Sequence, residues 1–257
     1  MTVRTTRFRQ SVIRTVLGLA ALSGLAMQPV ESAFAKVVEV SMTAVETKLV
    51  IDGEGHTYDA WTFNGQFPGP VIRVQEGDEV VFSLTNPETN GRPHSMDFHA
   101  AETNFLEHYK EVRPGESLQY RFKAKWPGVF AYHCGASPMI QHIARGMMGA
   151  IIVDPKDPKA MPKADREYVL VQSELFKEPD DVDGMFDRKY QHVVFNGAVF
   201  RYDPVHSKAG GDFLDAKPGE RVRFYFVNAG PNNVSAVHPI AEIWDDVWES
   251  GNPANHT

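Results

Sequence analysis

From Lys36 onward the chain is cut into short runs rich in Val, Ile, Phe and Tyr: VVEVSM, PVIRV, EVVFSLTN, SLQYRFKA, GVFAYHC and GAIIVDP. Clusters of Gly, Pro, Asn and Asp separate them. Apolar runs of this length bounded by turn formers are strand signals, and their close spacing leaves no room for the alternating strand and helix of a βαβ domain. No long amphipathic helix is evident. The pattern predicts an all-β chain built as sandwiches.

A weak internal repeat extends that expectation. Phe63-Asn64-Gly65 followed by EGDEVVFSLTN (Glu76 to Asn86) recurs as Phe195-Asn196-Gly197 followed by PGERVRFYFVN (Pro218 to Asn228). Each copy precedes a His-bearing segment, PHSMDFH with His94 and VHPIAEIW with His238, so two tandem copies of one sandwich are expected. Between them DPKDPKAMPKADRE (Asp154 to Glu167) has the Pro-rich, charged composition of a linker. The expected division is residues 36–155, a linker at 156–166, and 167–257. Pairing His238 with His94 leaves the second copy about 40 residues short of the first. The second sandwich is therefore expected to be incomplete at its C-terminus, in a fragment or a shortened product.

The first 35 residues have a different character. Arg4, Arg7, Arg9 and Arg14 precede the apolar run VLGLAALSGLAM and then Ala33-Phe34-Ala35. This is the pattern of a secretory signal cut after Ala35, and it predicts an exported protein. An uncleaved anchor is the alternative. No later segment approaches the roughly 20 apolar residues of a spanning helix, so no membrane span is expected. The formal net charge of −7 argues against a nucleic-acid or anionic-membrane partner.

An exported chain normally invites disulfides, yet Cys134 is the only cysteine. An exported thiol is open to oxidation unless buried or coordinated. Cys134 lies in YHCGASPMIQHIARGMMG, which supplies a thiolate, an imidazole (His142) and a thioether (Met147) in the order Cys-x7-His-x4-Met. Two His, one Cys and an axial Met form a blue copper site, and His94 in PHSMDFHAA is the natural second imidazole. Taken singly, Cys134 reads as a small core hydrophobe and Met147 or Met148 as core; jointly those readings must explain the whole spacing.

Strand parity adds a second group. His133 and Cys134 are adjacent and His94 and His99 are five apart, so each pair points to opposite faces unless a bulge intervenes. One face collects His94, Cys134, His142 and Met147, the other His99 and His133. Two His are short of a full shell, which leaves room for a further ligand and an open position suited to catalysis.

The segments HSMDFHAA, GVFAYHCGASPMIQHIARGMMGAIIVDP, PKADREYVLVQSELF and GPNNVSAVHPIAEIWDDVW resemble successive motifs of the copper-containing nitrite reductases, periplasmic enzymes of two cupredoxin domains. The resemblance implies two cupredoxin-like Greek-key sandwiches. It also implies that His94, Cys134, His142 and Met147 hold a type 1 copper fed by a small periplasmic donor, a cupredoxin or c-type cytochrome. Met147 is preferred to Met148 because GMMG lines up with the family's Gly-Met-x-Gly. His99 and His133 fall on ligands of the type 2 copper, where nitrite is reduced to nitric oxide. Asp97 falls on the catalytic carboxylate, His238 on the second proton-handling residue and Ile240 on the residue packing over substrate. The family is homotrimeric, with a third type 2 His from a neighbour's second domain, in a part this sequence lacks; His256 is not at a matching position.

Two rival functions are weighed. A laccase-like oxidase needs His-x-His pairs and a His-Cys-His, whereas Cys134 precedes Gly135 and no His-x-His occurs. A non-catalytic electron carrier fits the first ligand group alone. His56, His108, His192 and His206 read as surface residues, and DDVDGMFDRK (Asp180 to Lys189) as a solvated loop lacking the acceptor pattern of a calcium site.

Overall fold

The computed structural model describes residues 35–206 and 212–257. Apart from Ala35, the expected leader lies outside the described residues. Eleven described strands dominate, and the longest described helix has six residues, so the all-β expectation holds.

Strands β1 (Val37–Val50), β2 (Thr57–Phe63), β4 (Glu79–Thr85) and β6 (Ser117–Lys123) form one sheet in the order β2-β1-β4-β6. Facing it are β3 (Ile72–Gln75), β8 (Met148–Asp154), β7 (Gly128–His133) and β5 (Asp97–Phe98), in the order β3-β8-β7-β5. Alternation along β4 points Val80, Phe82 and Leu84 into the space between the sheets, where they are buried with Phe63, Phe98, Phe122 and Tyr132. Phe82 meets Phe98 edge to face at 4.9 Å between ring centroids. Each such side chain contributes roughly 1.5–3 kcal/mol by leaving water.

GAIIVDP reads as a continuous apolar run for a physical reason: β8 is buried on both faces. Ile151 and Val153 enter the first core. Met148 and Ala150 enter a second, with Val171, Leu175, Val194 and Val227 of the following sheet. That sheet comprises β10 (Tyr190–Phe195), β9 (Arg166–Phe176) and β11 (Val222–Asn228), in the order β10-β9-β11. Residues 155–165, which join β8 to β9, have no regular secondary structure.

The sequence repeat is a structural repeat. The first half of β1 pairs parallel with β4 and its second half antiparallel with β2. β9 does the same with β11 and β10. Asn64 (φ 57°) and Asn196 (φ 48°) adopt the left-handed conformation that their short polar side chains tolerate. Asn64 Oδ1 accepts from Thr43 N at 2.7 Å, and Asn196 Oδ1 accepts from Val171 N at 2.8 Å. Thr43 of β1 therefore answers to Val171 of β9.

Two expectations are corrected. DDVDGMFDRK is not simply a solvated loop: Asp181 caps a short helix, Val182–Phe186, through Gly184 N, and Met185 is fully buried against Ala144 and Phe176. His108 is not a free surface residue either, because its ring stacks on Tyr120 at 4.9 Å and its Nδ1 is buried.

Candidate metal centres

β7 ends at His133, and the chain turns through residues 134–138 into the helix Met139–Ala144 before re-entering the sheet at β8. This excursion brings His142 back over Cys134. Cys134 Sγ lies 3.2 Å from His142 Nδ1, which lies 3.3 Å from His94 Nδ1. All three residues are buried. Met147 is fully buried in the same core as Cys134, and its carbonyl accepts from Cys134 N at 2.9 Å.

The electrostatics favour neutral, metal-ready imidazoles. Burial, with His94, Arg92 and Arg145 nearby, pushes His142 down to about 3. Burial also lowers His94, against a partial opposing pull from Glu46. His94 Nε2 is 3.2 Å from Glu46 Oε1, and a carboxylate only accepts, so this nitrogen carries the proton. The lone pair of His94 is then on Nδ1, facing His142 and the sulfur. Burial pushes the Cys134 thiol up to about 11, while Ser95 N, 3.2 Å from Sγ, favours the thiolate. A cation among these donors favours the thiolate further. A soft sulfur and two neutral imidazoles converging in a buried pocket, beside a buried Met, fit copper.

The second cluster is open. Phe98 points into the core, so its neighbours Asp97 and His99 point outward, and Asp97 stands opposite His133 across the β5/β7 pair. His99 Nε2 lies 3.0 Å from His133 Nε2, and Asp97 Oδ2 lies 3.8 Å from each. The His99 side chain is 51% exposed and that of His133 12%. Burial and His133 lower His99, against the pull of Asp97. His133 Nδ1 donates to the Cys134 carbonyl at 3.0 Å, leaving Nε2 for the cluster. Two imidazoles and a carboxylate, partly wetted, suit a metal with an exchangeable position. His99 also lines a cavity of about 990 Å³ with Val129, Ala131, Phe226, Val237 and Trp248.

The two faces expected from strand parity are thus both assembled. His238 and Ile240 are not brought to them: His238 is exposed with Nδ1 at the Pro239 carbonyl, and Ile240 is 87% exposed. Sequence reasoning missed Glu46, Ser95, Trp61 and Arg145. Trp61 lies against the His142 ring at 4.7 Å, under the Arg145 guanidinium at 4.5 Å. Only Ser95, adjacent to His94, carried a positional hint.

Residues 44–158 match the multicopper oxidase family. The copper-containing nitrite reductase of Neisseria gonorrhoeae is 39% identical over 230 residues, which cover 83% of this chain and 55% of that protein. The corresponding protein of Alcaligenes xylosoxydans xylosoxydans is 37% identical over 246 residues, covering 86% of this chain and 72% of its own. A solved copper nitrite reductase from Nitrosomonas europaea is 58% identical with a TM-score of 0.85, over 86% of this chain and 78% of that one. The chain spans about half the length of the Neisseria gonorrhoeae relative. With this similarity, a cupredoxin-like fold and two copper-fitting clusters, the chain belongs to the copper-containing nitrite reductases.

Proposed function

We propose that the chain reduces nitrite to nitric oxide, consuming one electron and two protons and releasing water. One observation carries the reading: two donor clusters lie on either side of a single peptide bond, His133 to Cys134. His94, Cys134, His142 and Met147 would hold a type 1 copper, and His99 and His133 a type 2 copper. Bound copper supplies single-electron redox chemistry and, at the open cluster, an electrophilic position for a nitrite oxygen.

The protein supplies the rest. Asp97, beside both imidazoles, is placed to hold a proton for the substrate directly or through one water. His238 is the second proton-handling residue and Ile240 a wall of the substrate pocket; both are exposed in a single copy and would line the site on assembly as a homotrimer. The electron comes from a small donor, a cupredoxin or c-type cytochrome. Residues 1–35 direct export to the periplasm and are removed after Ala35, leaving cupredoxin domain 36–155 and a partial second cupredoxin domain, 167–257, joined by 156–166.

The test is nitric oxide release from nitrite by the copper-loaded chain with a reduced donor. His99→Ala should abolish release and retain the sulfur-to-copper visible band. A blue protein with one copper per chain and no release would overturn the reading in favour of an electron carrier.

A further inference from the structure

We infer that Glu46 is a positioning residue that selects the ring nitrogen His94 presents to Cys134 and His142. It rests on the metal reading of that cluster but stands on its own geometry.

The internal repeat separates what Glu46 does for the fold from what it does for the site. Thr43 answers to Val171, so Glu46 answers to Glu174, and the pairing agrees: Glu46 stands opposite Trp61, two before Phe63, and Glu174 opposite Val193, two before Phe195. Both carboxylates hold the loop after the parallel strand. Glu46 Oε1 accepts from Arg92 N at 3.0 Å, and Asn86 Nδ2 donates to the Arg92 carbonyl at 2.8 Å. In the second copy Glu174 Oε1 accepts from Asn233 N at 3.1 Å, and Asn228 Nδ2 donates to the Asn233 carbonyl at 2.6 Å. Arg92 and Asn233 are therefore equivalent.

Two residues further on, the copies diverge. In the first stands His94, whose Nε2 reaches Glu46 Oε1. In the second stands Ser235, whose hydroxyl donates to Gln172 Oε1 at 2.7 Å, and Glu174 Oε2 is buried without a hydrogen-bond partner. Ser235, not His238, thus occupies the place of His94. One glutamate serves loop and imidazole; its counterpart serves the loop alone. A carboxylate on the far nitrogen of a ligating His fixes its tautomer and raises its basicity.

The second copy supplies the control. In the metal-free chain, two-bond ¹H–¹⁵N spectra should show His94 protonated on Nε2; Glu46→Ala should mix the tautomers, and Glu174→Ala should leave them unchanged. Affinity for Co(II), read by its charge-transfer absorption, should fall about 10- to 100-fold in Glu46→Ala and hold in Glu174→Ala. If Glu46→Ala does not fold, Glu46→Gln keeps the shape, removes the charge and carries the same readouts. Unchanged His94 spectra in the Glu46 variant, or equal changes in both variants, would overturn the inference. Failure of the unmutated chain to bind metal would count against the metal reading, and the tautomer spectra would still decide the role of Glu46.

Discussion

His133 Nδ1 donates to the carbonyl oxygen of Cys134 at 3.0 Å, so the imidazole of the open cluster is oriented by the backbone of the residue that centres the buried one. The two clusters also use opposite ring nitrogens. His94 and His142 turn Nδ1 inward, whereas His99 and His133 meet through Nε2. A carbonyl fixes one tautomer and a carboxylate the other.

Cys134→Ser tests the buried cluster. The hydroxyl keeps a partner in Ser95 N but removes the only soft anionic donor. The sulfur-to-copper visible band should vanish, while metal-free stability measured in urea should change by only about 1–2 kcal/mol. A persisting band would rule Cys134 out as the sulfur ligand.

The metal-free protein should lose stability in mild acid. Burial holds His142 at about 3, against its ordinary 6.5. Below pH 6.5 the unfolded chain takes up a proton that the folded chain refuses, so this contribution is complete above 6.5 and is lost as pH falls toward 3. By pH 4 the loss relative to pH 7 should reach on the order of 3 kcal/mol. Urea titrations of the wild type and His142→Gln over that range should show the slope diminished in the variant.

Arg145 and Asp180 are partners of unequal weight. Asp180 has a 78% exposed side chain, so Asp180→Ala should cost less than about 1 kcal/mol. Arg145 is 7% exposed and donates to the Pro179 and Asp59 carbonyls while lying over Trp61. Arg145→Ala should cost roughly 2–4 kcal/mol in chemical denaturation and raise the acid titration of His142, since one repelling cation is gone.

Asn64→Ala keeps a β-carbon in the left-handed region, loses the polar side chain that makes this conformation tolerable, and removes the bond to Thr43 N. A loss of about 1–3 kcal/mol is expected, and a smaller one for Asn64→Gly, which keeps the conformation and loses only the bond. Thermal melts of the two variants side by side give the comparison.

The all-β class, the duplicated strand pattern and the convergence of His94, Cys134 and His142 and of His99 and His133 were legible in the sequence. The reason is local: strand parity assigns faces over a few residues, and Cys134, His142 and Met147 lie within one turn of chain.

Contacts over long sequence separations were not legible, because no periodicity encodes them. Glu46 meets His94 across 48 positions, and Arg145 meets Asp180 across 35. Nor was the packing of Met185 on Ala144 and Phe176, which makes an acidic stretch expected to be solvated a helix, capped by Asp181, against the His142 helix. The sequence alone determined which side chains could serve as donors. Only the tertiary structure decided which nitrogen His94 offers and that Ser235 answers to His94, because both depend on hydrogen bonds that exist only once distant strands have paired.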